Sequence, residues 1–188
     1  MTASYSPGGA SVDNRLRFAT GPLAGRSGVP KRPLHGRRRR MSKRVTSTEA
    51  AQLMAEGWTY LDVRSVPEFE DAHPAGSANV PLLHAQNGRL VPNPDFQRVV
   101  EANFPRDAKL VVGCKAGGRS AQAVGLLTQL GYQNLADVRG GFGGERDGMG
   151  RTVVPGWTES GLPVGKGAEA SQPYAELSKQ TSTKESAK

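Results

Sequence analysis

The sequence predicts an α/β domain in which a central, mostly parallel β-sheet is flanked by helices on both faces. Two observations carry this expectation. From residue 46 to about residue 138, strand-like and helix-like segments alternate, and parallel strands need crossovers of that kind. The stretch "KLVVGC" (109–114) is a continuous apolar run, as expected of a strand covered on both sides rather than one.

The elements follow in order. "TSTEAAQLMAEG" offers a hydroxyl cap ahead of apolar residues at helical spacing, and Gly57 closes it. "WTYLDVR" reads as a short strand, followed by an acidic turn and helix around "SVPEFEDA" and another short strand in "SANVPL". In "NPDFQRVVEANF", Asn93 is the expected cap and Pro94 the first helical residue. After "KLVVGC" come the amphipathic helix "SAQAVGLLTQLGY" and the strand "NLADVRGG". The glycine-rich stretch "GGFGGERDGMG" (140–150) lacks the G-x-G-x-x-G spacing and the Lys-Ser/Thr ending of nucleotide-binding loops. It is expected to be an irregular connection with turns at its glycines. No internal repeat is visible.

The 188 residues suit one domain of ordinary size with flanking segments. The charge is unevenly spread. Residues 1–44 hold 11 of the 25 Lys and Arg and one of the 17 acids (Asp13), a net charge of +10, which leaves −2 elsewhere. The domain itself is therefore not a basic nucleic-acid binder. Residues 1–44 are rich in Ser, Gly, Pro and Arg and show no periodicity, so they are expected to form a disordered basic arm. A transit or leader segment, an anion-seeking arm and an upstream start before Met41 all fit this composition. The domain is assigned to residues 45–165 and a polar, disordered tail to residues 166–188. No apolar stretch reaches the ~20 residues of a membrane span, and the N-terminus has no apolar signal core. The single cysteine suits a reducing compartment. The cytoplasm is expected, with an organelle as the alternative if the arm is a transit segment.

That cysteine, Cys114, lies where the buried-type strand ends, in "KLVVGCKAGGRS". Ligands of open α/β sheets bind beyond the carboxyl ends of strands. Gly117 and Gly118 let the chain curl so that successive N–H groups face inward, and with the helix N-terminus near Arg119 or Ser120 they form an anion nest. Such a nest stabilises a thiolate, and Lys115 and Arg119 are expected to act in the same direction. The plain alternative is a buried, inert cysteine. A cysteine phosphatase spaces Cys and Arg by five residues. Here only four (115–118) precede Arg119, and Gly113 stands where such enzymes usually carry His. The shorter loop makes a tighter cradle, better fitted to one extra sulfur atom than to a phosphoryl group. An arsenate reductase is disfavoured with the phosphatase.

From about Thr46 to Val164 the chain resembles the single-domain rhodaneses. The matching elements are "LDVR" (61–64), "PEFEDAHPAGSANVPL" (67–82), "CKAGGRS" (114–120) and the closing "GGF…PGWTESGLPV". The resemblance implies a sulfurtransferase in which Cys114 carries sulfane sulfur as a persulfide, held by Lys115, Ala116, Gly117, Gly118, Arg119 and Ser120. It implies no cofactor. Its expected partners are a small sulfur donor and a thiol or cyanide-type acceptor, including a protein thiol. Asp62 and Arg64 look like scaffold residues by the same resemblance. Thiosulfate-using relatives carry cations where this chain has Glu68 and Ala116, and Glu68 is expected to repel a dianion, so persulfide donors rival thiosulfate. His73 and His84 are read as surface or structural residues, His35 belongs to the arm, and three scattered histidines with one cysteine make no metal-site spacing. A rhodanese-like module that binds an anion or partner without turnover is the rival reading.

Overall fold

The computed structural model describes residues 42–168 and 171–180. The arm before residue 42 and the last part of the tail, with what was expected of them, lie outside the described residues.

In chain order the elements are β1 (Lys43–Val45), α1 (Ser47–Ala55), β2 (Thr59–Asp62), α2 (Val66–Asp71), β3 (His73–Pro74), β4 (Ala78–Asn79), β5 (Leu83–Gln86), β6 (Arg89–Pro92) and α3 (Phe96–Asn103). Then follow β7 (Lys109–Gly113), α4 (Gly118–Gln129), β8 (Asn134–Val138), β9 (Glu145–Arg146), β10 (Thr152–Val154), β11 (Val164–Gly165) and α5 (Tyr174–Leu177). Five strands form one sheet in the order β1-β8-β7-β2-β4, and all four pairings are parallel. The strand that precedes Cys114 is thus the middle one.

Period-two alternation sends side chains to both faces. Leu61, Val63, Leu110, Val112 and Leu135 pack with Val99 and Val100 of α3, Ala123, Val124 and Leu127 of α4, and Leu177 of α5. Tyr60, Val111, Ala136 and Val138 pack on the other face with Ala50 of α1 and with Trp157. The predicted architecture, a parallel sheet with helices on both faces, is the one observed.

Local signals explain several boundaries. Thr46 caps α1 and forms a capping box with Glu49, and Gly57 closes the helix with a positive φ of 85°. Helix α3 departs from expectation. Asp95, not Asn93, is its cap residue, because the Asn93 side chain instead accepts the Asp95 N–H in a turn just before the helix. The hairpin β5–β6 turns on Asn87 and Gly88, both with positive φ. That Asn-Gly pair is a known hairpin signal, and the sequence reading passed over it.

Both expected domain limits move. Residues 43 and 44 are not part of a loose arm: β1 joins the sheet edge beside β8. Only Val45 of the three is buried, so no apolar pattern announces the strand. Nor is the whole tail free. Gln172 bridges to Ala78, Leu177 is 3% exposed in the core, and its carbonyl accepts from the Asn103 amide. One leucine in a polar segment signals little in sequence, but its neighbours supply the rest of its core. Leu177→Ala should cost about 2 kcal/mol, the lower end for a buried leucine because a short terminal helix relaxes readily. Urea unfolding measures this, and an unchanged midpoint would show the segment to be dispensable. Among the described residues no helix is long and apolar enough to cross a membrane.

Candidate active site

Cys114 follows β7 directly, and α4 begins four residues later at Gly118. Gly117 is the helix cap, with φ of 98°. A side chain there would strain the backbone, and the turn it makes aims its N–H at Cys114 Sγ, 3.1 Å away. The next N–H groups, at the first turn of α4, have no carbonyl to meet within their own helix. Cys114 itself is 2% exposed, with Sγ also 3.7 Å from Ser120 Oγ. It is enclosed, as an inert cysteine would be, yet one amide is turned in towards it, as the nest requires. Lys115, Ala116 and Gly118 are exposed, Arg119 is half-buried, and Gly117 and Ser120 are buried.

The loop is clamped from behind by the segment after β8. Phe142 N–H donates to Cys114 O at 2.7 Å and Gly143 N–H to Lys115 O at 2.8 Å. Gly141 lies so close that a Cβ would collide with the Cys114 carbonyl. On the other side, Gly113 leaves room for Tyr60, whose hydroxyl would meet any Cβ placed there. The glycines around Cys114 are thus as much about close approach as about curvature.

Asp62 and Arg64 form a buried pair, 1% and 4% exposed. Arg64 Nε donates to both carboxylate oxygens at 3.0 Å and its terminal nitrogen to one of them at 2.6 Å. The same guanidinium donates to Ala72 O and lies 4.1 Å over the Phe142 ring. Through Phe142 the pair braces the segment that holds the Cys114 carbonyl.

Arg119 is engaged by a partner from a distant part of the chain. Its two terminal nitrogens donate to the two oxygens of Glu68 at 2.7 and 2.8 Å. Glu68 also accepts from the Ser65 N–H and hydroxyl, as the box residue of α2. Burial alone would raise the Glu68 pKa, but hydrogen bonds from Arg119 and Ser65 outweigh it and hold the carboxyl near 2 against its ordinary 4.5. Hydrogen bonding to Glu68, against an opposing desolvation, raises Arg119. Because the folded value is the lower one, this pair contributes stability above pH 4.5 and loses it as the pH falls through about 2. The cation expected to draw in a donor anion is therefore paired with Glu68, 51 residues away in sequence. Lys115 is the loop cation that no carboxylate holds among the described residues.

Of the two readings left open for His73, surface or structural, the structural one holds. His73 is fully buried, its ring stacks on Phe69 at 3.9 Å, and its Nδ1–H donates to Phe69 O. His84 lies edge-on to Tyr174. Neither meets Cys114. The sequence reading missed Gly141, Phe142 and Asp137; the first two lay within the quoted "GGF" but without a role.

Comparison with known proteins extends the match beyond the loop. The rhodanese-like domain model matches residues 46–144. Thiosulfate sulfurtransferase 16, chloroplastic, of Arabidopsis thaliana is 33% identical over 125 residues, covering 66% of this chain and 94% of the relative. The senescence-associated protein DIN1 of Raphanus sativus is 35% identical over 115 residues, 61% of this chain but only 56% of that protein. The crystal structure of Rv0390 from M. tuberculosis superposes with a TM-score of 0.57 over 67% of this chain and 98% of its own, at 24% identity, which supports the fold alone. Four short motifs and the sheet built around Cys114 thus agree with a match over more than half of the sequence, and the chain belongs to the rhodanese-like domain family.

Proposed function

We propose that this protein is a sulfurtransferase that carries sulfane sulfur on Cys114. The observation that supports it most is the Gly117 N–H facing Cys114 Sγ at 3.1 Å in a loop with only four residues between Cys114 and Arg119. In the first half-reaction the sulfur of Cys114 attacks the outer sulfur of a donor, and the donor's leaving group departs with the bonding electrons. The persulfide left on Cys114 is an anion, stabilised by the Gly117 amide and the N–H groups at the start of α4. In the second, a thiol of a small molecule or a protein takes the outer sulfur. Relatives named thiosulfate sulfurtransferase, at 33% and 35% identity, support the reaction class. The sole cysteine has to stay reduced to work, which favours the cytoplasm; relatives named chloroplastic support the organelle alternative.

For the donor, a persulfide is favoured over thiosulfate. With Arg119 held by Glu68, the loop offers main-chain N–H groups and Lys115, enough for one negative charge and poor for a dianion. Glu68→Gln should loosen Arg119 and raise kcat/KM for thiosulfate roughly tenfold, with the value for a small-molecule persulfide changing far less. Equal changes for both donors would contradict this account of selectivity. A phosphatase is disfavoured because the same clamp removes the arginine that would hold a phosphoryl group. The second reading, a non-catalytic binding module, is favoured by one observation, the 2% exposure of Cys114. Steady-state sulfur transfer from a panel of donors to thiols and cyanide separates the two. Turnover supports the enzyme, and none with any pair supports the module.

A further inference from the structure

Asp137 is buried at 4% exposure and has no part in the chemistry described so far. It follows Leu135 on the same face of β8, the face packed by α4. There one oxygen, Oδ1, is 2.7 Å from the hydroxyl of Ser120, in the first turn of α4. Ser120 Oγ is also 3.1 Å from Gly117 O and 3.7 Å from Cys114 Sγ. A hydroxyl has one proton, and both the carboxylate and the carbonyl only accept. The shorter, charge-assisted contact takes it, which leaves the lone pairs of Ser120 to accept from the Cys114 S–H. The other oxygen of Asp137 accepts from Arg44 Nε at 3.2 Å, and Arg44 sits opposite Asp137 in the β1–β8 register. Arg44 thereby fixes which oxygen faces Ser120.

We propose that Asp137, acting through Ser120, is a positioning residue that sets the protonation of the Cys114 sulfur and accepts its proton as sulfur is loaded. The loading step rests on the sulfurtransferase reading, whereas the protonation effect does not. With a persulfide donor the step balances. The Cys114 thiol proton passes to Ser120 Oγ while the Ser120 proton passes to Asp137. The freed sulfur electron pair forms the new S–S bond, and the donor's S–S bond breaks toward its inner sulfur. The donor, a neutral persulfide, brings a proton of its own on the outer sulfur, and that proton ends on the departing thiolate, so a neutral thiol leaves, Cys114 carries the charged persulfide and Asp137 keeps the Cys114 proton. The other charged or titratable groups around Cys114 are Lys115, the Arg119–Glu68 pair, the Asp62–Arg64 pair and Tyr60, and the variants below leave all of them in place.

The test is the pH dependence of alkylation by iodoacetamide, which reads the thiolate alone. In Asp137→Asn the amide oxygen stays with Arg44, so the NH₂ faces Ser120 and donates to it. The Ser120 proton is then free to turn to the sulfur, and a nearby negative charge is gone. The alkylation midpoint should fall by about one pH unit. In Arg44→Gln, whose side chain is 58% exposed and safe to change, the carboxylate loses its counter-charge and the midpoint should rise. In a Ser120→Ala background the Asp137→Asn shift should shrink to less than half. Midpoints unmoved in folded Asp137→Asn and Arg44→Gln would overturn the proposal, and so would an Asp137→Asn shift of full size without Ser120. If Asp137→Asn does not fold, Arg44→Gln decides alone. Because alkylation needs no sulfur donor, a wild-type protein that loads no sulfur would refute the enzyme reading and leave this result standing.

Discussion

Sulfur transfer by the Cys114→Ser variant falls to the uncatalysed background, while its unfolding midpoint stays close to that of the wild type. A serine hydroxyl at this position still accepts the Gly117 N–H, so the loop keeps its anchor and the small volume change costs about 1 kcal/mol or less. The chemistry, in contrast, is lost at the first step. A thiol is a far stronger acid and a better nucleophile than a hydroxyl, which attacks only when an adjacent base takes its proton. Neither histidine among the described residues fills that role, since His73 is stacked on Phe69 and His84 lies against Tyr174. Steady-state assays with a persulfide donor measure the loss. Retained transfer above a few per cent of wild type would place the sulfur-carrying chemistry elsewhere.

Asp62→Ala should destabilise the domain by about 3–5 kcal/mol, the cost of leaving a buried charge unpaired. Among the described residues the Arg64 guanidinium would keep the Ala72 carbonyl and the Phe142 ring as partners, at 4% exposure. Against a total stability of about 5–15 kcal/mol this is a large fraction. It should also lower activity in whatever protein remains folded, because Phe142 both receives the guanidinium and holds the Cys114 carbonyl. Urea unfolding gives the first effect and single-turnover sulfur loading the second. A loss below about 1 kcal/mol would show the pair to be replaceable by solvent, contrary to the burial described.

What was legible in the sequence was legible for local reasons. The capping box at Thr46, the apolar run of β7 and the glycine corner after Cys114 each depend on residues a few positions apart. They fixed the parallel sheet, placed Cys114 at a strand end and set the loop length. Apart from the Asn87–Gly88 hairpin, whose local signal was passed over, the contacts that sequence reading missed span distance. Arg119 meets Glu68 across 51 residues, Ser120 meets Asp137 across 17, and Arg44 meets Asp137 across 93. Nothing local distinguishes Arg119 as a clamped cation from a free one, and Asp137 in "NLADVRGG" looks like any polar residue near a strand end. The edge strand β1 and the helix α5 escaped for a related reason. Each contributes one buried apolar side chain, and that side chain becomes core only against neighbours that the rest of the chain supplies.

Intact-mass spectrometry after brief exposure to donors tests the central claim most directly. A main-chain cradle that holds a loaded sulfur predicts a gain of about 32 Da, one sulfur atom, mapped to the peptide containing Cys114 and missing from Cys114→Ser. Reduced wild-type protein that takes up no sulfur from thiosulfate, small persulfides or protein persulfides would contradict it.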